Sequence, residues 1–520
     1  MNTSKIISVA LLSSPFLASC AVIAQKQETQ KKNILFIAVD DLKPLLGCYG
    51  DPLAKTPNID RLASRGAIYT HSYCQQAVSG PTRASLMTGK APDYTKVWDL
   101  KTLIRDMNPD IVTLPQHLQS QGYTTAGIGK IFDPRSVDKN EDKVSWSVPY
   151  FHYEELLDNS TGDILLASYR NPTLRAEITK YEEEGKAKGL KGNGLRTFVT
   201  EKVKPSTECL DINDEAYSDG AIAKGAIDFL ENRKDNNPFF LAVGFKKPHL
   251  PFVAPKKYWD LYKRNDMPLA EYRKKALNSP EFAYHNSSEL LSYTDIPAVY
   301  EFTDINNTML TEDKARELIH GYYACVSYMD AQVGKLLDEL DKKGLTKNTV
   351  IVLWGDHGWH LGDHGLWNKH TNFEQAARTP LILVDPSVNK AVKVNAPVEF
   401  LDIFPTLCDV AGVAIPSNLD GKSLKETLQK PDTKVKEYAV SQFPRGPRMG
   451  YSIRTENFRY TVWVNWKDKK LDMNKEIATE LYDYVKDPLE TENVVDKKEY
   501  AQALASMKAH FEDFKKKRIR

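Results

Sequence analysis

The chain has 520 residues, and its 70 Lys and Arg residues balance 69 Asp and Glu residues to a formal charge of +1. This balance argues against a general nucleic-acid-binding protein, which would show an excess of basic residues. A hydrophobic content of 41%, with 27 Gly and 28 Pro, is typical of a globular protein and excludes a collagen-like or disordered chain. The 6 cysteines form no CxxC pair, so neither a disulfide-framed miniprotein nor a zinc module is expected.

Residues 1–24 have the features of an export signal. Lys5 precedes a short apolar stretch, and small residues follow that stretch. The segment Leu17-Ala18-Ser19-Cys20 resembles a bacterial lipobox, in which the cysteine becomes the lipidated first residue of the mature chain. Cleavage after Ala24, without an anchor, is the alternative. We therefore expect an exported protein, either periplasmic or an outer-membrane lipoprotein of a Gram-negative bacterium, whose only membrane attachment would be this N-terminal lipid.

Short apolar runs separated by helical patterns predict the fold. Four runs are typical of buried parallel strands, at 34–39, 124–128, 239–243 and 350–354. Amphipathic helices are predicted over 57–65, 113–121, 216–232 and 315–343. Strands that alternate with crossover helices indicate a doubly wound α/β fold.

A domain boundary is predicted near residue 430. The stretch 414–436 is polar and rich in turn residues, and its hydrophobic periodicity is weak. We expect a large domain over 25–430 and a smaller α+β subdomain over 431–520. Alternating patterns at 451–455 and 460–464 predict antiparallel strands there, followed by a helix over 497–517.

The residues that carry chemistry follow the predicted strands, where open parallel sheets bind their ligands. The four runs are followed in turn by Asp40-Asp41, by Lys130, by His249 and by Asp356-His357. Adjacent carboxylates repel each other unless a cation neutralises them, so the two pairs predict one divalent metal ion. Either pair alone would be read as a solvated loop or a helix cap, but two pairs at two strand ends favour a metal site.

A further motif runs from Ser79 to Gly89. Ser79 is predicted to be the N-cap of a helix, with Pro81 near its first position and Gly89 at its end. Unpaired N–H groups and the positive end of the helix dipole suit a group that binds an anion there. Arg83 lies one helical turn further on, and its guanidinium is expected to lie beside Ser79 at the same anion-binding end of the helix.

Ser79-x-Pro81-x-Arg83, followed by Thr88-Gly89, resembles the signature of the type I sulfatases. The resemblance covers most of the chain and implies an alkaline-phosphatase-like α/β/α sandwich with a smaller C-terminal α+β domain built on an antiparallel sheet. In that family a maturase oxidises the Cys or Ser at the first motif position to formylglycine, so the resemblance implies this modification of Ser79. A plain serine would be trapped as a stable sulfate ester, whereas a hydrated aldehyde can expel the sulfate.

The resemblance also implies one divalent cation, expected to be Ca²⁺, and its ligands: Asp40, Asp41, Ser79, Asp356 and His357. An imidazole ligand suits a transition metal better than calcium. Zinc or manganese therefore stays an alternative, for which three further histidines are near in sequence: His360, His364 and His370.

Catalytic roles follow from the same likeness. Arg83, Lys130 and Lys369 match family positions that surround the charged sulfuryl oxygens. His249, within Lys247-Pro248-His249-Leu250-Pro251, matches the histidine expected to protonate the leaving sugar oxygen. Many sulfatases carry another histidine shortly after the position of Lys130, and this chain has none there, which leaves the helper of the nucleophile open.

Three blocks are most similar to the iduronate-2-sulfatase branch of the family: 247–252, 356–369 and 449–464. They imply an exo-acting enzyme that removes the 2-O-sulfate from a terminal iduronate or Δ4,5-unsaturated uronate of heparin, heparan sulfate or a related glycosaminoglycan. Trp359 and His370 are candidates to contact the uronate ring. The candidates for binding its carboxylate are Arg445, Arg448, Arg454 and Lys467, although each could equally be an ordinary charge at a sheet edge.

Two other functions remain open at this point. One is a phosphodiesterase or phosphonate hydrolase of the wider alkaline phosphatase superfamily. The other is a lipoprotein that binds sulfated glycans without turning them over.

Overall fold

The predicted apolar runs form strands that are buried on both faces. The protein is described here from a computed structural model that covers residues 1, 31–157, 166–297, 310–388 and 390–519. The predicted export signal, including Cys20, lies outside the described residues apart from Met1. Within the described part of the chain, every helix is too short or too polar to cross a bilayer.

The strands, in chain order, are β1 (Asn33–Val39), β2 (Ala67–Tyr69), β3 (Ser72–Tyr73), β4 (Thr124–Gly129), β5 (Thr207–Leu210), β6 (Phe239–Phe245), β7 (Phe252–Pro255), β8 (Thr349–Gly355), β9 (His360–Leu361), β10 (Trp367–Asn368), β11 (Leu381–Val384), β12 (Val392–Val394), β13 (Val398–Glu399), β14 (Ala439–Arg445), β15 (Arg448–Arg454), β16 (Phe458–Lys467) and β17 (Lys470–Asp483).

The helices are α1 (Pro57–Ala63), α2 (Ser79–Thr88), α3 (Pro92–Thr95), α4 (Ile104–Met107), α5 (Leu114–Ser120), α6 (Pro172–Ala187), α7 (Gly192–Thr200), α8 (Ser218–Asn232), α9 (Lys256–Trp259), α10 (Ser288–Leu291), α11 (Glu312–Lys342), α12 (Glu374–Ala377), α13 (Ile403–Ala411) and α14 (Ala501–Arg518).

The main sheet has 7 strands in the order β12-β2-β11-β8-β1-β6-β4. The four predicted strands are neighbours in it and run parallel, since β1 pairs with β6 and β8, and β4 pairs with β6. The strand β11, which the sequence patterns did not predict, runs antiparallel to β8 and β2. The carboxyl ends of β1, β4, β6 and β8 therefore meet at one edge.

Helices cover both faces of this sheet, as the doubly wound pattern predicts. On one face Leu35 and Ile37 of β1 share a core with α8 and α11. On the other, Ile34 and Phe36 share a core with α2 and α13. Burying each such side chain contributes about 1.5–3 kcal/mol to the free energy of folding. Because alternate side chains of β1 point to opposite faces, this strand stabilises the packing of both helical layers on the sheet.

A second sheet of 4 antiparallel strands, in the order β14-β15-β16-β17, follows in the chain. Its apolar face packs against α14 through Met507, Phe511 and Phe514. This matches the antiparallel strands and final helix expected from the sequence. The boundary placed near residue 430 stays a prediction.

The helix α2 carries the sulfatase-like motif and begins one residue earlier than expected. Ser79 is its first residue and Val78 its N-cap, which makes no side-chain cap, so the expectation that Ser79 itself caps the helix is wrong. The Ser79 side chain is engaged with the strand ends and is not available to cap the backbone. The helix ends as predicted at Gly89, which has the left-handed conformation (φ 65°).

Candidate active site

The two acidic pairs meet because β1 and β8 are adjacent and parallel. The backbone N–H of Asp356 donates to the carbonyl of Val39 at 3.0 Å, and that of Asp41 donates to Oδ1 of Asp356 at 2.9 Å. Asp41, Asp356 and His357 are fully buried, and their ligand-type atoms lie within 4.8 Å of one another. A second such group joins Asp40 and Asp41 to His249.

Asp41 holds a backbone conformation that non-glycine residues seldom adopt, with φ of 59°. Such a conformation costs on the order of 1–3 kcal/mol and is found mainly at functional sites. It lets consecutive carboxylates, those of Asp40 and Asp41, both turn toward the residues after β8.

The Ser79 hydroxyl lies at the centre of this group and is 2% exposed. It donates to Oδ2 of Asp356 at 2.6 Å, and its oxygen lies 3.2 Å from Oδ1 of Asp40 and 3.4 Å from Nε2 of His357. Lys130 donates to it from Nζ at 3.3 Å. The first residue of α2 is thus placed among the predicted metal ligands.

Arg83 is a buried bridge between the two acidic pairs. Its Nε donates to Oδ2 of Asp356 at 3.0 Å and its Nη2 to Oδ1 of Asp40 at 3.1 Å. Its remaining nitrogen donates to the backbone carbonyls of Lys130 and Ile131. The planar fork of arginine suits this double contact, which lysine could not reproduce.

Lys130, which follows β4, binds both carboxylate oxygens of Asp40 at 2.8 and 2.7 Å. Burial alone would raise the pKa of Asp40, but the charges of Lys130 and Arg83 hold that pKa well below its usual range. Three residues after Lys130, Asp133 accepts a double contact from Arg135, with both nitrogen–oxygen distances 2.8 Å.

A second cluster lies around Lys369, which follows β10. Its Nζ binds both oxygens of Asp41 at 3.1 and 3.0 Å and Oε1 of Glu289 at 3.2 Å. Nε2 of His249 lies 3.2 Å from the same Glu289 oxygen and 3.6 Å from Oδ2 of Asp41. Nδ1 of His249 contacts the carbonyl of Leu250 at 2.6 Å, so Nε2 is the nitrogen that faces the site.

The charges of these residues fit a divalent cation. Three cations (Arg83, Lys130 and Lys369) face four carboxylates (Asp40, Asp41, Asp356 and Glu289). Burial, with the neighbouring carboxylates of Asp40, Glu289 and Asp356, raises the pKa of Asp41 well above its usual value although Lys369 opposes the shift. An ion of charge +2 would relieve this repulsion and turn the excess of negative charge into a positive one, which suits an anionic substrate.

The other histidines near this motif do not join the metal group in the described part of the chain. Nε2 of His360 bonds to the Thr371 hydroxyl at 2.9 Å, and His364 stacks on Phe373 with ring centroids 4.6 Å apart. The zinc or manganese alternative therefore gains no ligand from either histidine.

His370 and Arg445 are brought to the edge of the Lys369 cluster. Arg445 donates to the backbone carbonyl of His370, and its guanidinium lies over Phe443, 4.7 Å from the ring centroid. Its Nε is buried without a hydrogen-bond partner. Burial lowers the pKa of Arg445, and no carboxylate among the described residues offsets this cost. His285 lies on the other side of His370, with ring centroids 5.9 Å apart.

Two candidates for substrate contact, Trp359 and Arg454, are buried. Trp359 has no exposed surface and lies beneath Lys369, whose Nζ is 4.9 Å from the ring centroid, so in this structure it supports Lys369. Arg454 is 4% exposed and its guanidinium is held by Glu374, with Nε 3.1 Å from Oε2. This ion pair gives Arg454 a partner within the protein, and its part in substrate binding stays a prediction.

The remaining two candidates, Arg448 and Lys467, are not brought to the catalytic cluster by any described contact. Arg448 lies over Phe282, 4.4 Å from the ring centroid, and Lys467 is exposed at the turn between β16 and β17, opposite Lys470. Their part in substrate binding stays a prediction.

Sequence reasoning missed Glu289 and His285. Both come from a polar segment before and within α10, far from any predicted strand end. No local signal distinguishes Glu289 from the other exposed acids of the chain, because only the packing of α10 against β10 brings it to Lys369.

The fold and this site define a hydrolase of the alkaline-phosphatase-like class. A sequence profile of the sulfatase family matches residues 32–413, and a second profile, of the C-terminal region of N-sulphoglucosamine sulphohydrolase, matches residues 362–517. The chain belongs to the sulfatase family and is a sulfuric ester hydrolase.

Among its relatives is the iduronate 2-sulfatase of Mus musculus, 32% identical over 96% of this chain and 98% of that protein. The Δ4,5-hexuronate-2-O-sulfatase of Bacteroides thetaiotaomicron is 25% identical over 96% of this chain and 91% of that protein.

Solved structures share the fold. A protein in complex with its substrate D-glucosamine-2-N,6-O-disulfate has a TM-score of 0.69 at 23% identity, over 94% of this chain and 98% of that one. The phosphonate monoester hydrolase of Agrobacterium radiobacter also has a TM-score of 0.69, at 21% identity, over 94% of this chain and 96% of that one.

Proposed function

We propose that this sulfatase removes the 2-O-sulfate from a terminal uronic acid, iduronate or its Δ4,5-unsaturated form, of heparin, heparan sulfate or a related glycosaminoglycan. The observation that carries the choice of a uronate is Arg445, a guanidinium beside the Lys369 cluster with no carboxylate partner in the described chain. A second anionic group on the sugar, near its sulfate, is what such a cation would bind. The relatives named for iduronate and hexuronate 2-sulfates support the same choice.

The reacting oxygen is proposed to come from Ser79 after its oxidation to formylglycine. When present, the hydrated aldehyde supplies one hydroxyl that attacks sulfur and a second that, once deprotonated, expels the sulfate and restores the aldehyde. Asp356 and Lys130 hold the Ser79 oxygen at 2.6 and 3.3 Å, which fixes its direction before any substrate arrives. Arg83, Lys130 and Lys369 are proposed to neutralise the outer sulfuryl oxygens.

His249 is proposed to protonate the leaving sugar oxygen. Burial and the charge of Lys369 lower its pKa to about 3, so its acid form is proposed to be reached when the anionic substrate adds negative charge beside Nε2. Its Nε2 faces the site while Nδ1 is engaged by the Leu250 carbonyl, so the ring cannot turn its other nitrogen inward without losing that bond. A cation, which we propose to be Ca²⁺, would be held by Asp40, Asp41, Asp356, His357 and the residue 79 side chain, and would add positive charge where the sulfate binds.

The protein is further proposed to be exported to the periplasm or the outer membrane, anchored there at most by a lipid on Cys20. It would depend on a formylglycine-generating maturase. Metabolic labelling with a lipid analogue, compared between the wild type and Cys20→Ala, tests the anchor.

The proposed function is tested by sulfate release from the 2-O-sulfated unsaturated heparin disaccharide. The protein is coexpressed with a maturase, and the mass of the peptide containing Ser79 is measured. We expect release by the wild type and none by Ser79→Ala. Ser79→Cys should retain activity, because in this family a maturase oxidises either Cys or Ser at this position.

Three results would contradict the proposal. Modified protein that spares this substrate but cleaves a 6-O-sulfated hexosamine would refute the uronate assignment alone. Faster turnover of phosphate or phosphonate esters would favour the wider superfamily activity. Tight binding of sulfated oligosaccharides without release by fully modified protein would favour a glycan-binding role.

A further inference from the structure

Glu289 introduces a carboxylate into a site that has to accept an anion. Its oxygens lie 3.2 Å from Nε2 of His249 and 3.2 and 3.1 Å from Nζ of Lys369. These are the two groups assigned to the leaving oxygen and to the sulfuryl group. Its side chain is 21% exposed, whereas that of Asp41 is fully buried.

Glu289 is not needed to neutralise Lys369. Both oxygens of Asp41 already contact Nζ of Lys369, at 3.1 and 3.0 Å. Glu289 is therefore a second carboxylate at Lys369, and its negative charge opposes sulfate binding. An ionised carboxylate can only accept hydrogen bonds. Glu289 can therefore favour substrate binding only through a hydrogen-bond donor of the substrate, and the sulfate group has none.

The position of Glu289 is set by the same segment that carries Lys369. The N–H of Leu290 donates to Oδ1 of Asn368 at 3.2 Å, and the N–H of Trp367 donates to Oγ of Ser287 at 3.1 Å. These two bonds hold α10 against β10, directly before Lys369 in the chain. Glu289 and Lys369 therefore keep a constant separation. Two residues that bind neighbouring atoms of one substrate need such a fixed separation.

We propose that Glu289 accepts a hydrogen bond from the sugar hydroxyl on the carbon next to the sulfated one. This inference rests on the proposed function, in which His249 and Lys369 bind the sulfate ester of carbon 2. On the sugar ring, the oxygen of a neighbouring hydroxyl lies about one hydrogen-bond length from the sulfate ester oxygen. Oε1 of Glu289 lies at a similar distance, 3.2 Å, from Nε2 of His249 and from Nζ of Lys369, so it can face that hydroxyl while they face the ester. Glu289 thereby selects a uronate with a free 3-hydroxyl, and it rejects a 6-O-sulfate, whose neighbouring carbon carries no hydroxyl.

The test compares the 2-O-sulfated unsaturated disaccharide with its 3-deoxy analogue, for the wild type, Glu289→Gln and Glu289→Ala. We expect the wild type to prefer the 3-hydroxyl substrate by about 10- to 100-fold in kcat/KM, as for a hydrogen bond to a charged group. Both variants should lose most of this preference, because they turn over the natural substrate more slowly and the 3-deoxy substrate at least as fast as the wild type. Glu281→Gln, an exposed acid of the same segment, should behave as the wild type.

The outcomes separate the two proposals. Equal loss on both substrates in the Glu289 variants, with thermal unfolding unchanged, would make Glu289 a positioning residue for His249 and Lys369 and overturn the inference. A wild type that cleaves the disaccharide without discriminating its 3-deoxy analogue would also overturn it, but would leave the proposed function intact. A wild type that does not cleave the disaccharide at all would refute the proposed function, and this inference with it.

Discussion

Nε of Arg454 donates to Oε2 of Glu374 at 3.1 Å, and both side chains lie almost entirely inside the protein. Arg454 also contacts the Tyr484 ring, with its guanidinium 3.7 Å from the centroid. The pair links β15 to α12 of the main domain. Although Arg454 was a candidate for substrate binding, this relationship gives it a structural role.

We therefore expect Arg454→Met to destabilise the protein by about 3–5 kcal/mol, because it leaves the buried Glu374 without its partner. Its effect on KM for folded protein should be small. Chemical unfolding of the variant and the wild type, with KM measured below the transition, checks both statements. A large rise in KM at unchanged stability would instead return Arg454 to the substrate site.

Arg445 is expected to show the opposite behaviour. Arg445→Ala removes a guanidinium that pairs with no carboxylate in the described part of the chain, so stability should change little or increase. The value of KM for a 2-O-sulfated uronate should rise by about 10- to 100-fold, as for loss of a charge-assisted hydrogen bond.

Steady-state kinetics with a matched 2-O-sulfated hexose that lacks the carboxylate provides the control substrate, since Arg445→Ala should turn it over like the wild type. Lys469→Ala, an exposed residue paired with Asp99, is the control variant. Equal effects of Arg445→Ala on the uronate and the hexose would argue against carboxylate recognition.

Divalent metal should stabilise the protein measurably. A ligand that binds only the folded state adds about 2.7 kcal/mol at 100 times its dissociation constant, so Ca²⁺ should raise Tm and a chelator should reverse the rise. The shift should persist in Ser79→Ala and disappear in Asp356→Asn, because Asp356 contributes to the buried acidic group. Calorimetry with Ca²⁺, Mg²⁺, Mn²⁺ and Zn²⁺ ranks the ions, and a preference for Zn²⁺ would contradict the choice of calcium.

The ion pair between Arg518, at the end of α14, and Glu399 should stabilise the protein in a pH-dependent way. Arg518 donates to both oxygens of the buried Glu399 at 2.6 and 2.6 Å, and Lys436 contacts the same carboxylate at 2.5 Å. Burial would raise the pKa of Glu399, but Arg518 and Lys436 lower it to about 2. A depressed folded-state pKa means that the pair stabilises the protein above the unfolded pKa of about 4.3 and loses this contribution as pH falls toward 2.

Arg518→Ala should accordingly lower Tm at pH 7, and its effect should shrink progressively as the pH falls from about 4 to about 2. Thermal unfolding at these pH values, with Lys517→Ala as the control for an exposed pair, is the measurement. An effect of Arg518→Ala that is the same at every pH would mean that its packing, and not its charge, stabilises the C-terminal helix.

The sequence by itself determined the parts of this protein that depend on local pattern. Buried apolar runs predicted the four parallel strands, and because such strands carry ligands at their carboxyl ends, Asp40, Lys130, His249 and Asp356 could be assigned to one site without coordinates. The motif beginning at Ser79 was likewise recognisable, since its residues are close together in the chain. The antiparallel strand β11 was not predicted, because its short apolar run has no local feature that sets its direction.

Only the tertiary structure decided which charged side chains remain available to a substrate. Arg445 and Arg454 lie on neighbouring strands of one sheet and are alike in sequence terms, but Glu374 neutralises Arg454 alone. Glu289 reaches Lys369 through packing between segments about 80 residues apart. Charge pairing of this kind depends on separations in space, which hydrophobic periodicity and motif spacing do not encode.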